Sequence, residues 1–217
     1  MYGDCTNSYH LQKFGGNMSE ERKITFTEKC RKWFKGFGDT AAAFLLKIGL
    51  TANAVTVIGC LGHIGACWLA YKGKFTWAGV LLILFAVMDF FDGTMARMAT
   101  GGNGTKFGAV LDSTTDRYAE FLIFGGILLW NADHDNLLWV AVCVAAMMGS
   151  FLVPYTRAKG EIFGLDMRLG IMSRLERYIV LVACLLIGFP NIAMAVIAVF
   201  ANITAIQRLL HMKKNLD

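Results

Sequence analysis

Six apolar stretches separated by short connections leave this chain essentially one way to fold, as helices that pair their own backbone groups inside a bilayer. They run over 54–71, 76–96, 108–130, 137–156, 177–189 with its flanks, and 191–210. A spanning helix needs about 20 mostly apolar residues, and hydrocarbon offers no water to backbone groups left unpaired. The chain is 56% hydrophobic, with two prolines in 217 residues and a mean hydropathy of +0.50, so long helices meet few breakers. The expectation is an all-α polytopic membrane protein with six transmembrane helices. Residues 20–47 read differently. Phe26, Cys30, Trp33, Phe34 and Phe37 recur at helical spacing, and Arg22, Lys23, Lys29, Arg31, Lys32 and Lys35 fill the remaining arc. That pattern predicts an amphipathic helix lying at the membrane interface before the first span. Residues 1–19 lack the apolar core of a cleaved signal peptide and are expected to be flexible. No internal repeat divides the chain, so 1–217 is expected to be a single membrane domain.

The basic residues set an orientation. Arg97 and Lys106 lie between the second and third spans; Arg157, Lys159, Arg168, Arg174 and Arg177 surround the fourth-to-fifth connection; Arg208, Lys213 and Lys214 come at the end. The opposite loops hold only Lys72 and Lys74, then no base at 131–136 or 188–191. The positive-inside rule then places both termini on the cytoplasmic side of the cell membrane. The net charge of +5 belongs to that face. No basic stripe is interleaved with base-stacking aromatics, which excludes nucleic acid as a partner. The six cysteines form no CxxC pair and read as small apolar fillers, without a disulfide framework or zinc site. His10, His63, His134 and His211 match no pattern and are expected to be structural or exposed.

Four carboxylates interrupt the apolar text. Asp89 and Asp92 are three apart on the second span, and Asp112 and Asp116 are four apart on the third, so each pair projects from one helix face. An aspartate at a bilayer centre costs about 2.5–3.5 kcal/mol on insertion scales, which makes each a functional-site candidate with a partner to be named. Two antiparallel neighbours bring the pairs together, and two divalent cations would balance four negative charges. Hard oxygen donors without histidine or cysteine select Mg²⁺ or Mn²⁺. Two such ions can clamp a phosphoryl group undergoing displacement. Ion pairing with Arg97, Lys106 and Arg117 explains one aspartate better than four. A carboxylate-lined divalent cation channel or transporter is the serious alternative, although it leaves Gly93, Ala96 and Arg97 unexplained.

The string Asp89-Phe-Phe-Asp92-Gly93-Thr-Met-Ala96-Arg97, followed by Gly108-Ala-Val-Leu-Asp112-Ser-Thr-Thr-Asp116, resembles the signature of the CDP-alcohol phosphotransferases. The turn between its halves, Ala99 to Gly104, is slightly longer than that pattern's. Leu50-Thr51-Ala52-Asn53-Ala54-Val55-Thr56 is similar to the family's Thr-Pro-Asn-x-x-Thr segment, with Ala52 in place of proline. Tyr155-Thr-Arg157-Ala-Lys159-Gly-Glu161 and Arg174-Leu-Glu176-Arg177 look like elements of its bacterial phosphatidylinositol phosphate synthases, keeping basic character rather than identity. The resemblance covers about residues 40–212. It implies that Asp89, Asp92 and Asp112 hold metal, with Asp116 on the second ion and acting as the base. It also implies that Asn53, Ala54, Val55, Thr56, Gly93, Ala96, Arg97, Thr105 and Gly108 surround the CDP headgroup of CDP-diacylglycerol. Members of the family form homodimers, and Gly125-Gly126 would permit close packing of two copies.

The acceptor is read from the bases. Arg157, Lys159, Arg174, Arg177 and Arg208 fall at cytoplasmic helix ends. A phosphate monoester rewards several guanidinium groups, which pair bidentately with its oxygens, where an uncharged alcohol would not. Inositol 1-phosphate is therefore the expected acceptor and phosphatidylinositol phosphate the expected product. Glycerol 3-phosphate, the acceptor of a phosphatidylglycerophosphate synthase, satisfies the same bases.

Overall fold

The computed structural model describes residues 38–102 and 104–216, all within one compact unit, Gly36–Asp217. Among the described residues there are seven helical segments and no strand. They are α1, described over 38–47, α2 (Ala52–Tyr71), α3 (Phe75–Thr100), α4 (Lys106–Asp133), α5 (Leu137–Ile162), α6 (Arg174–Leu186) and α7 (Pro190–Leu216). The amphipathic helix expected over 20–47 lies mostly outside the described residues. Its last ten, 38–47, are helical.

Helices α2 to α7 coincide with the six apolar stretches, but they are not equivalent. Four of them, α2, α3, α5 and α7, are long and apolar enough to cross a membrane. Helix α4 has 28 residues, yet it carries Asp112, Asp116, Arg117 and Glu120 along its length. Helix α6 has 13 residues, about 20 Å at 1.5 Å per residue, against a hydrocarbon core of about 30 Å. The two helices that depart from a plain span carry Asp112, Asp116, Glu120, Arg174 and Arg177 of the site, while Asp89 and Asp92 lie on the apolar α3.

The principal helix contacts trace a closed ring: α3 packs on α2, α2 on α4, α4 on α5, α5 on α7, α7 on α6, and α6 back on α3. The core inside it is built from Ala66, Ala70, Leu82, Ile123, Phe124, Ile127, Leu181, Leu185, Met194 and Ile197. Small residues set the spacing. A Cβ added to Gly126 would strike the Cys67 carbonyl oxygen and lie 3.0 Å from its Cα, so this glycine is what lets α2 and α4 approach. Gly126 therefore serves packing within the chain, between α2 and α4. Far from the aspartates, Asn131 and Asn191 exchange amide hydrogen bonds of 2.8 and 3.1 Å, tying α4 to α7 with their polar groups mutually paired. The outer surface is apolar, with Trp68, Trp77, Phe121, Leu137, Val144 and Phe151 all exposed. A continuous apolar exterior of this kind suits lipid rather than water.

Candidate active site

Two threonines begin the helices on which the site is built. The Thr51 side chain caps α2 by accepting from the Ala54 N–H at 3.2 Å, and Thr105 caps α4 by accepting from the Gly108 N–H at 2.9 Å. Each satisfies one of the orphan donors of a helix start. A Cβ on Gly108 would lie 3.0 Å from Thr105 Oγ1 and 3.4 Å from Asn53 Oδ1, so its absence makes room where the starts of α2 and α4 meet. The end of α3 reaches the same corner. Gly101 ends that helix in the left-handed region, at φ 67°. Gly104, at φ 76°, turns the chain back so closely that an added Cβ would stand 3.5 Å from that of Ala96. Arg97 donates to Thr94 Oγ1 at 2.9 Å, and its Nη1 would be 3.5 Å from a Cβ on Gly93.

The residues expected around a CDP headgroup thus gather at one end of three helices. Val55 is the exception in kind. Its side chain is buried against Ala42 and Met95, and its N–H is paired with the Thr51 carbonyl at 3.2 Å. Phe90, between the aspartates, lies against Gly38, where an added Cβ would overlap its ring.

Asp89, Asp112 and Asp116 converge. One carboxylate oxygen from each lies within 4.8 Å of the other two. Three hard oxygen donors with no histidine or thiol in the group fit an oxygen-preferring divalent cation. Asp92, one turn beyond Asp89, is buried and turned elsewhere. Its Oδ2 accepts the Thr56 hydroxyl at 2.6 Å, a contact that ties α2 to α3. Thr56 also donates toward the Ala52 carbonyl at 3.0 Å.

The bases separate into three kinds. Arg174 reaches the acids directly: its Nη2 donates to Asp116 Oδ1, and its Nη1 stands 3.9 Å from Asp89 Oδ2. It is held there because α6 starts at this residue. The Glu176 carboxylate accepts the Ser173 backbone N–H at 2.8 Å and the Ser173 hydroxyl as well, a capping arrangement that orients the first turn. Arg177, one turn on, is 3% exposed and forms a two-pronged pair with Glu120, Nε to Oε1 at 2.7 Å and Nη2 to Oε2 at 3.2 Å. Arg117 lies 3.9 Å from Asp116 on the other side.

The remaining three bases go elsewhere. Arg208 is buried and donates to the backbone carbonyls of Leu169 at 3.0 Å and Val153 at 2.5 Å. Arg157 is exposed and paired with Glu161 at 2.8 Å, and Lys159 lies over the Tyr155 ring at 5.8 Å. Of the five bases expected to converge on one pocket, Arg174 and Arg177 line it. It is a cleft that also meets His63, Leu82, Asp116, Ala119, Glu120 and Tyr178.

Three residues of this cleft carry no functional signature in the sequence. Glu120 continues the row Asp112, Asp116 at a spacing of four, a signal present in the text but unmarked by any motif. His63 was expected to be structural or exposed. Its ring meets the cleft, with Nδ1 held 2.8 Å from the Gly59 carbonyl and a tilted stack on Phe85 at 4.9 Å. Tyr178 donates its hydroxyl to the Leu82 carbonyl, linking α6 to α3 beneath Arg174.

The model of the family described as CDP-alcohol phosphatidyltransferase matches residues 49–207. The phosphatidylinositol phosphate synthase of Streptomyces avermitilis is 34% identical over 207 residues, covering 88% of this chain and 84% of that protein. A crystal structure of the Mycobacterium tuberculosis phosphatidylinositol phosphate synthase with CDP-DAG bound superposes with a TM-score of 0.76 at 31% identity, over 81% of this chain and 92% of that one. A second structure of the same enzyme, in complex with manganese and citrate, also gives 0.76 at 31% identity, over 81% of this chain and 88% of that one.

Proposed function

The chain belongs to the CDP-alcohol phosphatidyltransferase family, and from that premise we propose that it transfers the phosphatidyl group of CDP-diacylglycerol to inositol 1-phosphate, giving phosphatidylinositol phosphate and CMP. The observation that carries this reading is the meeting of Asp89, Asp112 and Asp116 with Arg174 of α6, acids and a guanidinium within one cleft. The family is one of transferases, so a cation channel, which the acids alone allowed, is set aside.

Asp89, Asp92, Asp112 and Asp116 would together hold two divalent cations, Mg²⁺ or Mn²⁺, which when bound would neutralise charge on the diphosphate. To join them Asp92 would exchange the Thr56 hydroxyl that it now accepts for an ion. The start of α2, with Asn53 to Thr56 in its first turns, favours an anionic diphosphate through the positive dipole end of the helix, the Ala54 and Val55 N–H groups being already paired with Thr51. Arg97 adds a guanidinium there, and Gly93, Ala96 and Gly108 keep the space open. Asp116 accepts the proton of the attacking acceptor hydroxyl, a role that requires only hydrogen-bond reach. Arg174 and Arg177 take the acceptor's own phosphate. Arg157 and Lys159 would contribute positive potential from the surface, and Arg208, bound to backbone carbonyls, would act on the acceptor only through its charge.

Six crossings, with α4 and α6 completing the four apolar spans, would place both termini and the cleft on the cytoplasmic side of the cell membrane, and the working unit would be a homodimer. The decisive experiment is a panel of acceptors given to purified protein with CDP-diacylglycerol and Mg²⁺ or Mn²⁺. CMP release should depend on inositol 1-phosphate and be weak with inositol and serine. Release with glycerol 3-phosphate alone would transfer the reading to phosphatidylglycerophosphate synthesis, and release with free inositol would remove the phosphate requirement.

A further inference from the structure

Glu120 has no place in the motif that the aspartates form, yet it sits one turn beyond Asp116 on the same face of α4 and lines the same cleft. A guanidinium carries five N–H donors in a rigid plane. Glu120 engages two of its three nitrogens, Nε and Nη2, in a parallel pair that sets both the distance and the rotation of that plane. The third, Nη1, is buried, and among the described residues no acceptor meets it. Arg177 is 3% exposed, so this is a fully desolvated cation with a donor group left over at the wall of a cleft. Natural proteins seldom leave such a group without a partner. Arg174 stands one helical turn away with its guanidinium on Asp116.

We infer that Glu120 is a positioning residue for the acceptor: it clamps Arg177 so that Nη1 is presented to an anionic oxygen of the molecule in the cleft, next to the hydroxyl that faces Asp116. The inference rests on the reading that Arg177 receives a phosphorylated acceptor. Glu120 touches no substrate itself. Its negative charge is matched by Arg177, so the pair supplies direction more than net attraction, and a freely rotating arginine at the same place would bind phosphate less well.

The test compares E120Q, E120D, R177Q and the double variant E120Q/R177Q in detergent-solubilised full-length protein. KM is measured for inositol 1-phosphate and for CDP-diacylglycerol, and inositol 1-phosphate binding is measured by calorimetry without turnover. E120Q is expected to raise the acceptor KM and dissociation constant about tenfold, with the CDP-diacylglycerol KM within twofold of the parent. E120D, which keeps the charge but withdraws it by one methylene, is expected to raise the acceptor KM about threefold. On the R177Q background, E120Q should add nothing further to the acceptor KM, because it acts only through that arginine.

Four results overturn the inference: an unchanged acceptor KM in E120Q and E120D; equal increases for both substrates; additive effects in the double variant; or tighter acceptor binding in E120Q, which would make Glu120 a repulsive charge instead. Should E120Q fail to fold, E120D decides by the same criteria. If R177Q itself leaves binding of inositol 1-phosphate and of glycerol 3-phosphate unchanged, the acceptor site proposed above falls, and this inference with it. If R177Q weakens acceptor binding and the Glu120 variants do not, only the positioning role is lost.

Discussion

The acids and the bases of this protein are organised on different principles. Asp89, Asp92, Asp112 and Asp116 sit on two helices joined by a five-residue connection, Gly101 to Thr105, so helical periodicity and one tight turn suffice to bring them together. The five bases first grouped with them come from α5, α6 and α7, and no local rule governs where they go. Arg174 and Arg177 reach the cleft, Arg208 binds backbone carbonyls, and Arg157 and Lys159 remain on the surface. Charges on neighbouring helices can be assembled from spacing. Charges on distant helices are assembled by packing, and the same residue type then serves catalysis, stability or solvation according to what surrounds it.

The contrast can be broken by mutation. Asp116→Asn should reduce CMP release at least about a thousandfold, since it removes a charged donor oxygen and the proposed base together. Release within tenfold of the parent would take Asp116 out of the base role, and a circular dichroism spectrum matching the parent keeps the loss from being one of folding. Arg174→Ala should raise KM for the phosphorylated acceptor about 10- to 100-fold, the scale of a lost charge-assisted hydrogen bond, with a much smaller effect on the CDP-lipid. Equal increases for both substrates would assign Arg174 to the acids alone.

Arg208→Met should act on stability. Two backbone carbonyls lose a charged donor, a cost of about 2 kcal/mol, which corresponds to roughly 4–8 °C in the melting temperature of a chain this size. A change in acceptor KM as large as that of Arg174→Ala, without loss of thermal stability, would return Arg208 to the acceptor pocket. Arg157→Ala should do least, because an exposed i,i+4 pair contributes about 0.3–0.5 kcal/mol. Acceptor KM should stay within about twofold, and a larger rise would show that Arg157 leaves Glu161 to contact substrate.

Much of the fold was legible because bilayer helices announce themselves by length and hydropathy. The six apolar stretches correspond to α2 to α7 within a few residues at most ends. The exceptions are instructive: α5 and α7 each run about six residues past the apolar text, to Ile162 and Leu216, since a helix continues into polar surroundings after its hydrophobic face ends. The ring order of the helices was not legible. It depends on contacts such as Gly126 against Cys67 and Asn131 against Asn191, between positions tens of residues apart that carry no mutual signal in the text.

At the site, the acids were legible as a set, but their individual geometry was not. Spacing alone treats Asp92 as the equal of Asp89, whereas the Thr56 hydroxyl holds it away from the other three. Glu120 has no local mark of function, being a glutamate one turn past a motif, and His63, expected to be structural or exposed, is held by the Gly59 carbonyl and the Phe85 ring where it meets the cleft.

By itself the sequence determined the helices, the reaction class and the pairing of aspartates on two faces, because these follow from hydropathy and from the 3.6-residue period within one or two adjacent segments. The tertiary structure alone decided which arginines meet the acids, that Glu120 clamps Arg177, and that Arg208 is turned into the packing between α5 and α7. Those outcomes depend on where separate helices come to rest against each other, and a buried guanidinium goes to whichever acceptors that packing leaves within reach.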